Sequence, residues 1–165
     1  MKIDVKGDRE VYKKYCGGIS EEYVWRNIYR SIKLVLHVEV DNLLVTGIKD
    51  DDCSILTVID NHIKFGVTSI PLYFTGYFPA YEYDKPPTDL RILENAYKIA
   101  KMVGIEYVYL GNVPDVRYQY TYCAECCSVI IKRSPNFGIL KKNISKDHKC
   151  SKCGKTILIT GHIVA

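Results

Sequence analysis

The chain has 165 residues, 47% of them hydrophobic and 25% charged, with a formal net charge of +4 and seven cysteines. That length allows one sizeable core and a small satellite domain, and it excludes a large multidomain assembly. No apolar run reaches the roughly 20 residues of a membrane-spanning helix, so no membrane partner is expected. A net charge this small does not by itself imply nucleic acid.

The N-terminus runs straight into a strand-like pattern and shows no apolar stretch behind a basic start, so no signal peptide is read there. A cytoplasmic location with reduced thiols follows as the expectation. Ile3 to Gly7 alternate apolar and polar, the period of a strand. Residues 8 to 16 read as a short helix closed by Gly17 and Gly18. Ser20 is placed as an N-cap, with Glu21 and Glu22 in the first turn where the helix dipole favours negative charge. That helix is predicted to reach residue 33, with Tyr23, Val24, Asn27, Ile28, Ser31 and Ile32 along one side. Leu34 to Val45 predicts the strongest strand.

Asp50, Asp51 and Asp52 supply the next cap, ahead of an apolar stripe of Ile55, Leu56, Ile59 and Ile63 at helical spacing. Ser69 to Thr75 predicts a strand. The Tyr- and Pro-rich stretch from Gly76 to Thr88 is long for a connector and is a candidate functional loop. Thr88 is predicted to cap a helix carrying Ile92, Leu93, Ala96, Ile99, Ala100 and Val103; Gly104 ends it, and Glu106 to Leu110 forms the next strand. The β-α-β-α-β-α-β alternation implies a parallel sheet with covering helices. Residues 1–115 are assigned to this part and residues 116–165 to a second, smaller domain.

The strands carry charge on one parity. Asp4 and Lys6 share a face, as do His37, Glu39 and Asp41. Buried charges are costly unless paired or meeting a ligand, so these groups line either a barrel lumen or a set of salt bridges between neighbouring strands. A first strand with nothing to cover its outer edge would be open to pairing, either with a missing half or with another copy of the chain.

The C-terminal part is organised by cysteines. Cys123 and Cys126 form one Cys-x-x-Cys pair, Cys150 and Cys153 another, and the span between them suits a hairpin. Two such turns complete the tetrahedral thiolate shell that Zn²⁺ prefers, which predicts a structural zinc ribbon with no open coordination position. Disulfides or an iron–sulfur cluster are the alternatives. Gly154 follows the second pair, as a tight knuckle requires, whereas Cys127 takes that place in the first. Cys127 is read as a buried small hydrophobe, with a competing ligand or a redox-sensitive thiol as the other readings. Cys16 and Cys53 stand alone and are expected to be unliganded. Lysines dominate this region and are expected to offset the negative thiolate centre.

Several stretches, taken in order, resemble a known family. They are Asp4 to Gly7, Tyr12 to Gly17, His37 to Gly47, Pro86 to Thr88, Gly104 to Pro114 and Thr121 to Cys123. Together they resemble the C-terminal half of radical S-adenosylmethionine proteins. The nearest resemblance is to the AmmeMemoRadiSam system radical enzyme, related to pyruvate formate-lyase activating enzyme. The resemblance implies an α/β fold: a partial (β/α) barrel, roughly the last four strands, followed by a β zinc-ribbon-like domain. It places Asp4 and Lys6, with Glu39 and Asp41, on the side of the lumen that faces S-adenosylmethionine. The family's sixth strand usually reads Pro-Leu-His-Phe followed by Arg and His, and Tyr73, Gly76 and Phe78 occupy those places here.

The family's Cys-x-x-x-Cys-x-x-Cys motif, which holds a [4Fe–4S] cluster, occurs nowhere in these 165 residues. Without that cluster no electron reaches the sulfonium, so the chain is expected to be inactive by itself. S-adenosylmethionine and the cluster enter only if a partner supplies the other half. Three expectations follow from that gap: a split subunit with a cluster-bearing partner, a degenerate remnant, or a natural protein longer than this sequence. A different class of reading remains, a non-enzymatic zinc-ribbon module whose basic tail binds nucleic acid or protein, although nucleic acid is not the favoured partner.

Overall fold

The computed structural model describes residues 1–65, 68–133, 139–141 and 143–159, and places them in two compact units, Met1–Val113 and Pro114–Ala165. In the first unit the order is β1 (Lys2–Asp4), α1 (Arg9–Tyr15), α2 (Glu21–Lys33), β2 (Glu39–Leu44), α3 (Asp52–Lys64), β3 (Leu72–Gly76), α4 (Leu90–Met102) and β4 (Val108–Gly111). The strands form one sheet in the order β1-β2-β3-β4, every pair parallel. This is the open α/β arc expected of a partial barrel. Parallel neighbours need a crossover connection, and the helices between successive strands supply it.

The caps explain where the helices begin. Ser20 accepts from the Glu22 amide and Asp51 from the Ser54 amide, each satisfying a donor that the first turn leaves open. For α4 the cap is Asp89, which accepts from the Arg91 amide. Thr88, predicted for that role, instead binds the backbone of two other segments.

Alternation along the strands sorts the core. Val40, Leu44, Leu72, Phe74 and Leu110 are fully buried, and α2 to α4 contribute Ile28, Ile55, Ile59, Leu93, Ala96 and Ala100. Trp25 and Ile28 are the buried residues of α2, whereas Tyr23 is 53% exposed. The predicted stripe was therefore rotated, because Trp25, Ile28 and Ile32 also follow helical spacing and the larger ring wins the interior. Leu34 to Leu36 do not join β2. Leu34 is the C-cap of α2, and Val35 takes φ 60° with its side chain exposed, so the chain turns before the strand starts at Glu39.

The second unit holds a 3₁₀ turn (Val116–Gln119) and an antiparallel three-stranded sheet, β5 (Thr121–Tyr122), β6 (Val129–Arg133) and β7 (Ile139–Lys141). Its buried cluster is small: Cys123, Ile130, Ile131, Cys150 and Ile157. Among the described residues no helix is long and apolar enough to cross a membrane.

Candidate metal centre and open sheet face

Two turns build the cysteine site, and they are copies of one another. In the first, the Cys123 amide donates to Ser128 O and the Cys127 amide donates back to Cys123 O. In the second, the Cys150 amide donates to Lys155 O and the Gly154 amide to Cys150 O. Each ring of bonds folds a Cys-x-x-Cys segment so that both sulfurs point the same way. The residue closing each ring is left-handed, φ 56° at Cys127 and 78° at Gly154. Glycine takes that conformation freely, and a side chain bears a steric cost for it.

The four sulfurs of Cys123, Cys126, Cys150 and Cys153 all lie within 4.8 Å of one another. Cys123 Sγ is 3.5 Å from Cys153 Sγ, and Cys126 Sγ is 3.6 Å from Cys150 Sγ. A disulfide needs about 2.05 Å, and all seven cysteines are free. Tetrahedral thiolates at about 2.3 Å from a zinc ion sit about 3.8 Å apart, so the donor set fits a metal of that size. The Ser128 hydroxyl and amide hold the Cys126 thiol down to about 6. At Cys153 the Lys155 amide also lowers the pKa, but desolvation and the neighbouring thiols outweigh it and push the thiol up to about 12. Four sulfurs this close cannot all ionise without a cation among them. Cys127 is exposed and lies outside the group, which overturns the buried reading. Cys16 and Cys53 are also outside the group.

The other candidates sit in the first unit. The register sets Asp4 beside Asp41, Asp41 beside Tyr73 and Tyr73 beside Tyr109, one row across all four strands. These side chains share the face of the sheet opposite Val40, Leu72 and Phe74. Asp41 takes Lys2 Nζ at 2.7 Å and the Thr75 hydroxyl at 2.8 Å. Lys2 Nζ also lies 4.5 Å from the Tyr73 ring centre, and Tyr73 stacks on Tyr109 at 4.8 Å. Gly111 is required here, since a Cβ at that position would come within 2.7 Å of Thr75 Oγ1. Lys6 Nζ pairs with Asp4 at 2.8 Å, and His37 Nε2 with Glu39 Oε1 at 3.2 Å. Of the two alternatives read from the sequence, a salt bridge between neighbouring strands is observed, from Lys2 to Asp41.

Residues that the sequence did not single out position this face. Asn42, buried, donates to Val5 O at 2.7 Å. Lys49, 4% exposed, donates to Lys6 O at 2.6 Å, so β2 and the turn after it hold the segment that carries Lys6. Burial, with the Lys6 charge second, lowers the Lys49 ammonium to about 8. Nothing in the local pattern marks a buried lysine. The 76–88 loop is tied to β2 and the turn behind it. The Thr88 hydroxyl accepts from the Tyr77 amide at 2.8 Å and donates to Leu44 O at 2.6 Å, and the Tyr83 hydroxyl donates to Thr46 O at 2.7 Å. Phe78 and Tyr81 at its tip are exposed.

The fold and the site together define an α/β protein with a parallel four-stranded sheet and an attached four-cysteine ribbon. No family model matches the chain. It is 35% identical over 159 residues to the uncharacterized protein MJ0808 of Methanocaldococcus jannaschii; the match takes in 95% of this chain and 47% of that protein. The chain therefore spans about half the length of this relative. Among solved structures, a domain of pyruvate-formate lyase-activating enzyme from Bacteroides vulgatus superposes with a TM-score of 0.52, at 17% identity, over 67% of this chain and 66% of that one. That likeness is one of fold.

Proposed function

We propose that this chain is one half of a radical S-adenosylmethionine-type barrel of the AmmeMemoRadiSam kind, with a structural zinc ribbon at its end. The observation that carries this reading is the asymmetry of the sheet. One face is packed with apolar side chains, while the other carries Asp4, Glu39, Asp41, Tyr73 and Tyr109 in register. A polar, aromatic inner face on parallel strands suits a lumen that a second half closes. The relative of about twice the length supports a second half, either on the same polypeptide or on a separate cluster-bearing partner. The cluster in that other half would supply the electron that reductive cleavage of S-adenosylmethionine needs. Asp4, Lys6, Glu39 and Asp41 would bind and orient the cofactor from this side.

Purified alone, the chain should show no iron–sulfur absorbance and cleave no S-adenosylmethionine. Co-purified with a cluster-bearing half it should do both, and Asp41→Asn should impair cleavage without loss of iron. A partner-bound complex that contains the cluster yet binds S-adenosylmethionine equally well with Asp4, Lys6, Glu39 and Asp41 all neutralised would refute the assignment of this face.

A second reading rests on the ribbon. From Pro114 onward there are nine Lys and Arg against three Asp and Glu. Lys132 Nζ lies 5.8 Å from the Tyr120 ring centre, and Tyr120 and Tyr122 are 6.3 Å apart. Basic groups beside paired aromatics suit a single-stranded nucleic acid, with bases stacking on the rings and phosphates meeting the lysines. Filter binding of single-stranded RNA at low salt tests it: retention should weaken with salt and with Tyr120→Ala, and no retention at low salt rules it out.

A further inference from the structure

Beyond its first turn, α2 exposes charge of one sign. Glu21 and Glu22 open the helix, and residues 23–36 contain no acidic side chain. Arg26, Arg30 and Lys33 are exposed and stand four and three residues apart, so they share one side of α2 as a ridge about 10 Å long. Tyr23 and Tyr29 are exposed beside it, with Arg26 4.8 Å from the Tyr23 ring centre and Lys33 5.3 Å from that of Tyr29. No ion pair among the described residues engages any of the three cations. An ordinary solvated surface intersperses both signs.

The ridge runs into an apolar tip. The Val35 amide donates to Ile32 O and the Leu36 amide to Ser31 O, the paired bonds that close a helix through a left-handed residue. That residue is Val35, at φ 60°, where glycine is the usual occupant and a β-branched side chain is strained. The strain brings no burial in return, since Val35 is 91% exposed, Leu34 72% and Leu36 50%. Leu34 lies one helical turn beyond Arg30, so the tip continues the basic side of the helix.

A row of cations suits any polyanion, and the tip decides between the kinds. Nucleic acid offers phosphates to the ridge but nothing to three aliphatic side chains on a protruding turn. An anionic bilayer offers headgroup charge to Arg26, Arg30 and Lys33 and acyl chains to Leu34, Val35 and Leu36, with the tyrosines at the level between them. We propose that α2 and the turn after it form a peripheral docking surface for an anionic lipid bilayer. The cations meet the headgroup phosphates, and the turn at 34–36 enters the apolar layer beneath. Such a contact needs no spanning helix, so the expectation drawn from the length of apolar runs does not bear on it.

Flotation of the full chain with vesicles tests this without a cluster or a partner half. At low salt the chain should float with phosphatidylcholine vesicles containing about one-third phosphatidylglycerol and not with phosphatidylcholine alone, and raised salt should release it. Arg26→Gln, Arg30→Gln and Lys33→Gln should each weaken binding about fivefold, and all three together on the order of a hundredfold, with every ribbon lysine left in place. Val35→Gly should raise the melting midpoint of the sheet unit, because glycine takes the left-handed position freely, and yet weaken vesicle binding about tenfold. A turn with a purely structural role would not move those two readouts in opposite senses. The proposal is overturned if no anionic vesicle is bound at low salt, or if the triple variant binds as well as the parent, which would place the contact elsewhere on the chain. In a chain that floats with no vesicle, single-stranded RNA binding lost in the triple variant would make nucleic acid the occupant. A dimer that Val35→Gly dissolves, again without vesicle binding, would make the occupant a second copy.

Discussion

The two units of this chain are held together by different means. Met1–Val113 buries Val40, Leu44, Leu72, Phe74 and Leu110 beneath helices that bring Trp25, Ile28, Ile55 and Leu93. Pro114–Ala165 has a cluster of five buried residues, and two of those, Cys123 and Cys150, belong to the four-sulfur site. A domain of about fifty residues seldom buries enough apolar surface to be stable by packing alone. In the ribbon Cys123 and Cys150 belong to core and site alike, so the two share residues. In the sheet unit the core lies on one face and the candidate functional groups on the other.

That contrast can be broken most decisively at the cysteines. Removal of any bound metal by a strong chelator, or Cys123→Ser, should unfold the ribbon and leave the sheet unit folded, because metal binding in such domains is worth on the order of 10 kcal/mol of folding free energy. Residue-resolved NMR of the full chain should show ribbon signals collapsing while those of β1 to β4 persist. Survival of the ribbon signals after metal loss would make packing sufficient there after all. The reciprocal change is Phe74→Ala, which opens a cavity at a fully buried site and should destabilise the sheet unit by about 3–5 kcal/mol. The metal content of the ribbon should stay unchanged; a drop would show that the two units share their stability.

Lys49 separates the units by pH. In the folded chain it loses its proton at about 8, against 10.5 when unhindered. The unfolded chain therefore holds more protons between those values, and stability rises with pH across that window. Below about pH 8 the cost of keeping the buried ammonium is fully present, about 3 kcal/mol. Denaturant melts from pH 7 to 10 should show the sheet unit gaining stability, and Lys49→Met should flatten that rise. The smallest effect compares the two knuckles. Cys127→Gly should stabilise the ribbon by about 1 kcal/mol by relieving a left-handed side chain, and Gly154→Ala should destabilise it by a similar amount. Equal melting midpoints for all three proteins would mean that the turns tolerate a Cβ without strain.

Much of this organisation is legible in local pattern. Ser20 and Asp51 read as caps because a short oxygen-bearing side chain before an acidic or apolar helical start has one good use. The Cys-x-x-Cys pairs read as one site because their spacing alone turns both sulfurs inward. What failed to show depends on distant partners. Thr88 has the right chemistry for a cap, but Leu44 O and the Tyr77 amide claim its hydroxyl and Asp89 caps α4 instead. Trp25 was hidden by a stripe in which Tyr23 fitted the same helical period. Lys49 and Asn42 are polar residues in a strand and a turn, and only the carbonyls of Val5 and Lys6, brought beside them by the parallel register, give them a reason to be buried.

The register also sets how much chain each strand pairing has to span. In the parallel sheet Lys2 lies opposite Glu39, Val40 opposite Leu72 and Leu72 opposite Val108, so every pairing waits for a whole intervening helix. In the ribbon Thr121 lies opposite Ile131 and Ile131 opposite Lys141, partners close together in sequence. Loop closure over short distances is fast and long-range pairing is slow. The strand pairings of the ribbon therefore close shorter loops than those of the parallel sheet.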